Sequence, residues 1–290
     1  GANGLVTNCT FTNNRVSSTA TPKGGAIVAQ NGKIHIAGSK FENNSVFGSE
    51  LAYGGAICGD SSVEMIIENS NFTNNTAAKG AGVYVKDGAS LIVNSVKFIN
   101  NTAVTRGGAI YSEGNVAVNK AIFDGNDVTF RSKNVDNGGA AIYALGGKLT
   151  VADSNFTNNL KDYVVRGTDG KTGDLINAII TTSAVTEITG SRFVNNSGCY
   201  GGAIYAAVID NVGTPSLVIR DSEFVNNTAY AGTIQIVDIE YKISDSVFDG
   251  NKALGYGSVG YTAAGAAVTA MYPGANGLVT NCTFTNNRVS

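Results

Sequence analysis

The sequence predicts an all-β chain wound as a right-handed parallel β-helix. Three observations predict it. A short phrase, Phe-x-(Asn/Gly)-Asn, occurs ten times, at intervals of 24 to 37 residues. The columns beside it alternate with period two, the period of a strand. No competing helical period runs along the chain. A unit this short cannot bury its own Phe and Ile, so successive units must stack on one another. Propellers and flat sandwiches need tight antiparallel hairpins, whereas a solenoid absorbs variable coil lengths in loops.

Each column has a physical reason. Seven residues before Phe the chain is mostly apolar, as at Ile34, Met65, Leu91, Val116, Leu149 and Leu217. Five before it stand Val6, Ile36, Ile67, Val93, Val118, Val151, Ile188, Ile219, Ile243 and Val279, all β-branched. Such side chains suit a buried pleated strand. The column between them is mixed (His35, Ile92, Thr150, Glu187, Lys242) and is expected to face outward. Turn formers come three before Phe, including Asn8, Asn69, Asp153, Asp221 and Asp245. A small residue, usually Ser, comes two before it.

The anchoring Phe residues are Phe11, Phe41, Phe72, Phe98, Phe123, Phe156, Phe193, Phe224 and Phe248, with Phe284 opening the next period. Two residues later the chain has Asn, or Gly at 125 and 250. Asn and Gly share a tolerance of positive φ, so a left-handed kink is expected there. Three residues after Phe the residue is always Asn: Asn14, Asn44, Asn75, Asn101, Asn126, Asn159, Asn196, Asn227, Asn251 and Asn287. Gly never replaces it, so the amide itself is required. A column of amides can hydrogen-bond along the stack and to the turn backbone. A second phrase follows, GGAIV at 24–28, GGAIC at 54–58, GAGVY at 80–84 and GGAIY at 107–111 and 201–205, with GGAAIY at 138–143. It reads as another short strand entered from a glycine corner.

Composition excludes several function classes. Charged residues are 14% of the chain and the net charge is −2, which leaves no basic field for nucleic acid. No run approaches the ~18 apolar residues that a membrane-spanning helix needs.

Residues 1–17, GANGLVTNCTFTNNRVS, recur letter for letter at 274–290. The offset of 273 residues contains nine whole short repeats and returns to the same phase. The expected organisation is therefore one tandem period of about nine coils, 1–273, followed by the start of an identical period, 274–290. Expected partners are further copies end to end, with lateral fibre contacts or cell-surface glycans on the flanks.

The paired phrases F-x-x-N and GGA(I/V/L) resemble the repeats of polymorphic outer-membrane proteins and archaeal adhesin-like surface proteins. The resemblance implies an extracellular, structural or adhesive role at the cell surface. The coils after Phe156 and Phe248 depart from the pattern, lacking a clean GGAI. A ligand-binding adhesin acting through loops 160–175 and 252–273 is the alternative reading, and a carbohydrate-active enzyme is a third.

No catalytic, cofactor or metal site is expected. Carboxylates scatter through turns, and Asp153, Asp221 and Asp245 fit a turn column better than a catalytic cluster. His35 fits an outward, solvated position. Gly170, Lys171 and Thr172 resemble the end of a phosphate loop, but Val165 stands where its glycine belongs. Cys9, Cys58 and Cys199 are an odd number per period without a C-x-x-C pair, and Cys9 and Cys58 read as buried small hydrophobes. Tyr84, Tyr111, Tyr143 and Tyr205 form a column that reads either as ordinary stacking or as an outward stripe for packing or sugar contact. Nine N-x-(S/T) sequons begin at Asn8, Asn43, Asn71, Asn74, Asn100, Asn155, Asn195, Asn226 and Asn281, and none uses the invariant third-position Asn. They are candidate glycan sites or simply corner chemistry.

Overall fold

The computed structural model describes residues 2–129, 138–160, 177–198, 200–208, 214–254 and 265–290. The chain is a right-handed parallel β-helix. One coil, here called a rung, contributes up to four short strands. In the third rung these are Val63–Glu68, Asn71–Thr73, Thr76–Lys79 and Val83–Val85. Like strands of successive rungs pair in parallel, giving two ten-stranded sheets and one nine-stranded sheet. The fourth side is formed by a five-stranded and a three-stranded piece.

Register follows the sequence columns. Phe72 lies opposite Phe41 on one side and Phe98 on the other. Ile67 lies between Ile36 and Val93 in the same way. A slip of one residue would turn these side chains to solvent, so burial fixes the pairing.

Three corners set the shape of each rung. At the first, the residue three before Phe is left-handed in all ten rungs, with φ between 48° and 61°. Asn, Asp and Gly fill most of these positions, but Ser95 and Lys120 hold the same conformation. The stack therefore imposes the geometry even where the side chain does not favour it. At the second corner, the residue two after Phe is left-handed in all ten, with φ between 52° and 64°. At the third, Gly54 has φ 67° and Gly107 φ 64°. A Cβ on Gly54 would also collide with the carbonyl oxygen of Ile57.

Inside the coils, the aliphatic column from Ile36 to Ile243 is at most 2% exposed. The Phe rings stack face to face, centroids 4.6–5.0 Å apart and planes within 20°. That spacing is the strand spacing of a sheet, so backbone and rings share one repeat. Each such side chain contributes about 1.5–3 kcal/mol of transfer free energy before ordering entropy is subtracted.

The structure decides between the two readings of the Tyr column in favour of stacking. The Tyr column points away from this core but is not an open stripe. Tyr84, Tyr111, Tyr143 and Tyr205 are no more than 6% exposed and form a second cluster with Cys58, Ile180 and Ala207. Tyr84 stacks between Tyr53 and Tyr111, and Tyr143 meets Tyr111 edge-on. Lys79 and Arg106 lie over the rings of Tyr53, Tyr111 and Tyr143. The ring faces of Tyr53, Tyr84 and Tyr111 are taken up by neighbours and cations. Cys58, read as a buried small hydrophobe, is buried, and Cys9 on the first rung is exposed. Its slot is lined by the next rung on one side only.

Replacing Gly54 by Val puts a β-branched residue in the left-handed region and a Cβ against a carbonyl. We expect a loss of roughly 1–3 kcal/mol in a urea or thermal unfolding transition, with the parallel-sheet circular dichroism retained.

Candidate functional site: the asparagine ladder and the flanks

The second corner delivers the third-position Asn into the coil interior. The left-handed residue before it turns the chain, so the Asn side chain points back beneath the carbonyl of an earlier rung's Phe. Asn44 shows the pattern. Its Nδ2 donates to the Phe11 carbonyl at 3.0 Å and to Asn75 Oδ1 at 3.0 Å. Its backbone N–H also donates to Asn75 Oδ1, at 3.0 Å. Its own Oδ1 accepts from the Asn14 backbone N–H at 3.1 Å and Asn14 Nδ2 at 2.8 Å. Two amide hydrogens and two acceptor positions are all in use.

The same bonding runs through Asn75, Asn101, Asn126, Asn159, Asn196, Asn227 and Asn251. All of these side chains are completely buried. Burial of so many amides is tolerable because each is fully bonded.

Sequence reasoning missed a second ladder at the first corner. Ser39 N–H donates to Ser70 Oγ at 3.0 Å, while Ser39 Oγ donates to the Ala37 carbonyl at 3.0 Å. Ser154, Ser191 and Ser222 repeat the arrangement, and Ser246 Oγ donates to the Ser244 carbonyl. The signal was present: the small column prefers Ser to Ala. Cys9 and Cys282 occupy Ser slots, and each thiol donates to the carbonyl two residues earlier, at 3.2 and 3.1 Å.

A third polar feature was also missed. The buried carboxylate of Asp60 accepts from Lys23 Nζ at 2.7 Å and pairs with Lys86 Nζ at 2.9 Å. These three residues belong to three successive rungs, so the cluster ties the corner across them. The Lys23 ammonium, with Lys86 second, holds the Asp60 carboxyl well below the usual carboxylate range. Nearby Cys58 is buried, and that burial pushes its thiol up to about 12. A thiol so placed is a poor nucleophile at neutral pH.

On the outer faces, opposite charges pair across rungs. Lys33 meets Glu64 at 2.9 Å, Lys148 meets Glu187 at 3.2 Å and Arg192 meets Glu223 at 2.9 Å. His35, outward as expected, bonds Glu68 at 3.0 Å. Exposed pairs of this kind contribute little each. A shallow groove on the outer sheet face is lined by Glu64, Ile92, Ala117, Lys148 and Thr150. Its two charged groups are the ones already engaged with Lys33 and Glu187.

Of the turn-column acids, Asp221 and Asp245 lie side by side on consecutive rungs, and Asp153 lies two rungs before Asp221. Asp153, Asp221 and Asp245 all sit at left-handed first corners. Among the described residues, no group of three or more His, Cys, Asp or Glu side chains is placed to hold a metal ion. No described helix is long and apolar enough to cross a membrane. Cys199, the Gly170–Thr172 triplet, most of loop 160–175 and residues 255–264 of loop 252–273 lie outside the described residues. The sequon residues divide by position. Asn43, Asn74, Asn100, Asn195 and Asn226 take the exposed second corner, Asn8 and Asn281 the first, and Asn71 and Asn155 lie on strands beside Phe.

Residues 1–128 match the family model described as a right handed beta helix region. The match covers the first rungs, where the two phrases are most regular. No curated protein and no solved structure matches the chain.

Replacing Asn101 by Ala removes four hydrogen bonds and strands the Asn75 donors in the interior. We expect a loss on the order of 1–3 kcal/mol in equilibrium unfolding. A melting curve unchanged from the parent would count against the ladder as a source of stability.

Asp60 gives a pH dependence. Its carboxyl is depressed in the folded chain, so the stabilisation is present above the ordinary carboxylate pKa of about 4. It is lost as pH falls through the lower folded value. Thermal melts of the parent and Asp60→Asn should differ at pH 7, and the difference should shrink steadily below about pH 4.

Proposed function

We propose that the chain is a non-enzymatic structural segment of an extracellular surface fibre or adhesin stalk, in which 273-residue periods follow one another end to end. In this reading it is of the kind found in polymorphic outer-membrane and archaeal adhesin-like surface proteins. Its work is mechanical: backbone ladders, stacked rings and bonded amides run along one axis.

One observation carries the reading. The sequence GANGLVTNCTFTNNRVS occurs in two places and is bonded on a different side in each. As residues 1–17 it supports the rung that follows. Val6 lies opposite Ile36, Phe11 stacks on Phe41 at 4.8 Å, and Asn14 donates to Asn44. As residues 274–290 it completes the rung that precedes. Val279 lies opposite Ile243, Phe284 stacks on Phe248 at 5.0 Å, and Asn287 accepts from Asn251. Asn287 Nδ2 also reaches the Phe248 carbonyl at 2.7 Å. A single rung of this sequence thus has the bonding of an interior rung on both faces. Overlaying the two copies joins one period to the next with no change of spacing. The short strand Arg288–Val289 then coincides with the start of Arg15–Ser17, and the two pieces of the fourth side become one.

The test is a chain in which residues 1–273 precede a full copy of 1–290. Nine further rungs at a strand spacing of ~4.8 Å add about 43 Å of rod. Negative-stain micrographs are expected to show straight particles longer by that amount. Two particles joined at variable angles would overturn the reading.

A further inference from the structure

The structure separates the two asparagines of each Asn-Asn-(Ser/Thr) corner into different roles. The second of each pair, such as Asn44, Asn75 or Asn101, is sealed in the ladder with every amide position bonded. The first, at Asn43, Asn74, Asn100, Asn195 and Asn226, is exposed and left-handed, with φ of 53–55°. Among the described residues, no group hydrogen-bonds the side-chain amides of these five. The hydroxyls two residues on, at Ser45, Thr76, Thr102, Ser197 and Thr228, likewise have no side-chain bond among the described residues.

Of the three column asparagines that lack a sequon, Asn13 on the first rung has no side-chain bond among the described residues, and the other two are engaged. Asn158 Nδ2 donates to Asp124 at 3.0 Å, and Asn286 Nδ2 donates to Asp249 at 2.9 Å. Neither is followed by Ser or Thr at the second position. The first-corner sequon at Asn281 also has its Nδ2 engaged, by Asp245 at 2.5 Å. Every intact sequon of the second-corner column therefore carries a free amide, along one edge of the rod.

We propose that this second-corner column is a row of N-linked glycan attachment sites. The residues are Asn43, Asn74 and Asn100 on consecutive rungs, then Asn195 and Asn226 on another consecutive pair. In the transfer, Nδ2 forms a bond to the anomeric carbon of an oligosaccharide carried on a lipid diphosphate. The bond from that carbon to the phosphate oxygen breaks, the lipid diphosphate leaves with the electron pair, and the amide proton passes to a base of the transferase. The attached sugar projects outward from a corner whose backbone stays unchanged, because the ladder amide beside it is not used. The inference rests on the extracellular reading above, since transfer of this kind accompanies export.

The fold itself supplies the control. Gly125 and Gly250 already occupy this corner with φ of 63° and 64°. Replacing all five asparagines by Gly therefore removes the sequons and keeps the turn. The parent and the five-fold Gly variant would be secreted from yeast behind an added leader, then analysed by intact mass and glycopeptide mapping. The expected result is glycan on the column residues of the parent and loss of that mass in the variant, with the circular dichroism of both alike. A folded, secreted parent with none of the five modified would overturn the proposal, as would a variant that keeps the parent's full glycan mass. Because the leader imposes export, either outcome bears on the row alone. The two-period rod, made in a bacterium without such a transferase, tests the fibre reading separately.

Discussion

The rest of the structure depends on the interior column of asparagines. A parallel solenoid has to turn its chain sharply at every rung, and each turn carries backbone groups away from the strand ladders. Left unbonded in an apolar interior, such groups would be costly. Here the side chain of one residue meets the need: it takes the Phe carbonyl of the rung before and the backbone N–H of the same neighbour. Since each amide bonds the next, one ladder position cannot be changed without leaving its neighbours unpaired.

The Phe and aliphatic columns supply most of the apolar burial and set the pairing, and the polar columns reinforce it. An amide or hydroxyl offset by one residue loses its partner. Outside the coil, Asp60 with Lys23 and Lys86 repeats the same logic with charge.

Much of this was legible in the chain itself. Period-two alternation and an invariant Asn at a fixed distance from Phe are direct signatures of strands and of a bonded amide, so the fold class and the ladder could be read without coordinates. Other features were not. The serine ladder looked like a preference for small size, because a hydroxyl bonding a carbonyl two residues back leaves no trace beyond its identity. The Asp60 cluster joins residues 23, 60 and 86, whose proximity depends on where each coil closes. Tyr84 and Tyr111 alternate correctly with the core residues, a pattern that fits ordinary stacking and an outward stripe equally. Their burial comes from Tyr53, Lys79 and Arg106 at a neighbouring corner, which no single-strand pattern reveals.

The asparagine bonds also have a direction. From Asn14 to Asn44, and on to Asn251 and Asn287, the backbone N–H and one amide hydrogen always point the same way. In this column the rod accordingly has two chemically different ends, one offering amide oxygen and the other amide hydrogen. Two such rods laid nose to nose would oppose like groups, whereas nose to tail they match. Any assembly built through these faces is therefore an arrow, with all its members pointing one way.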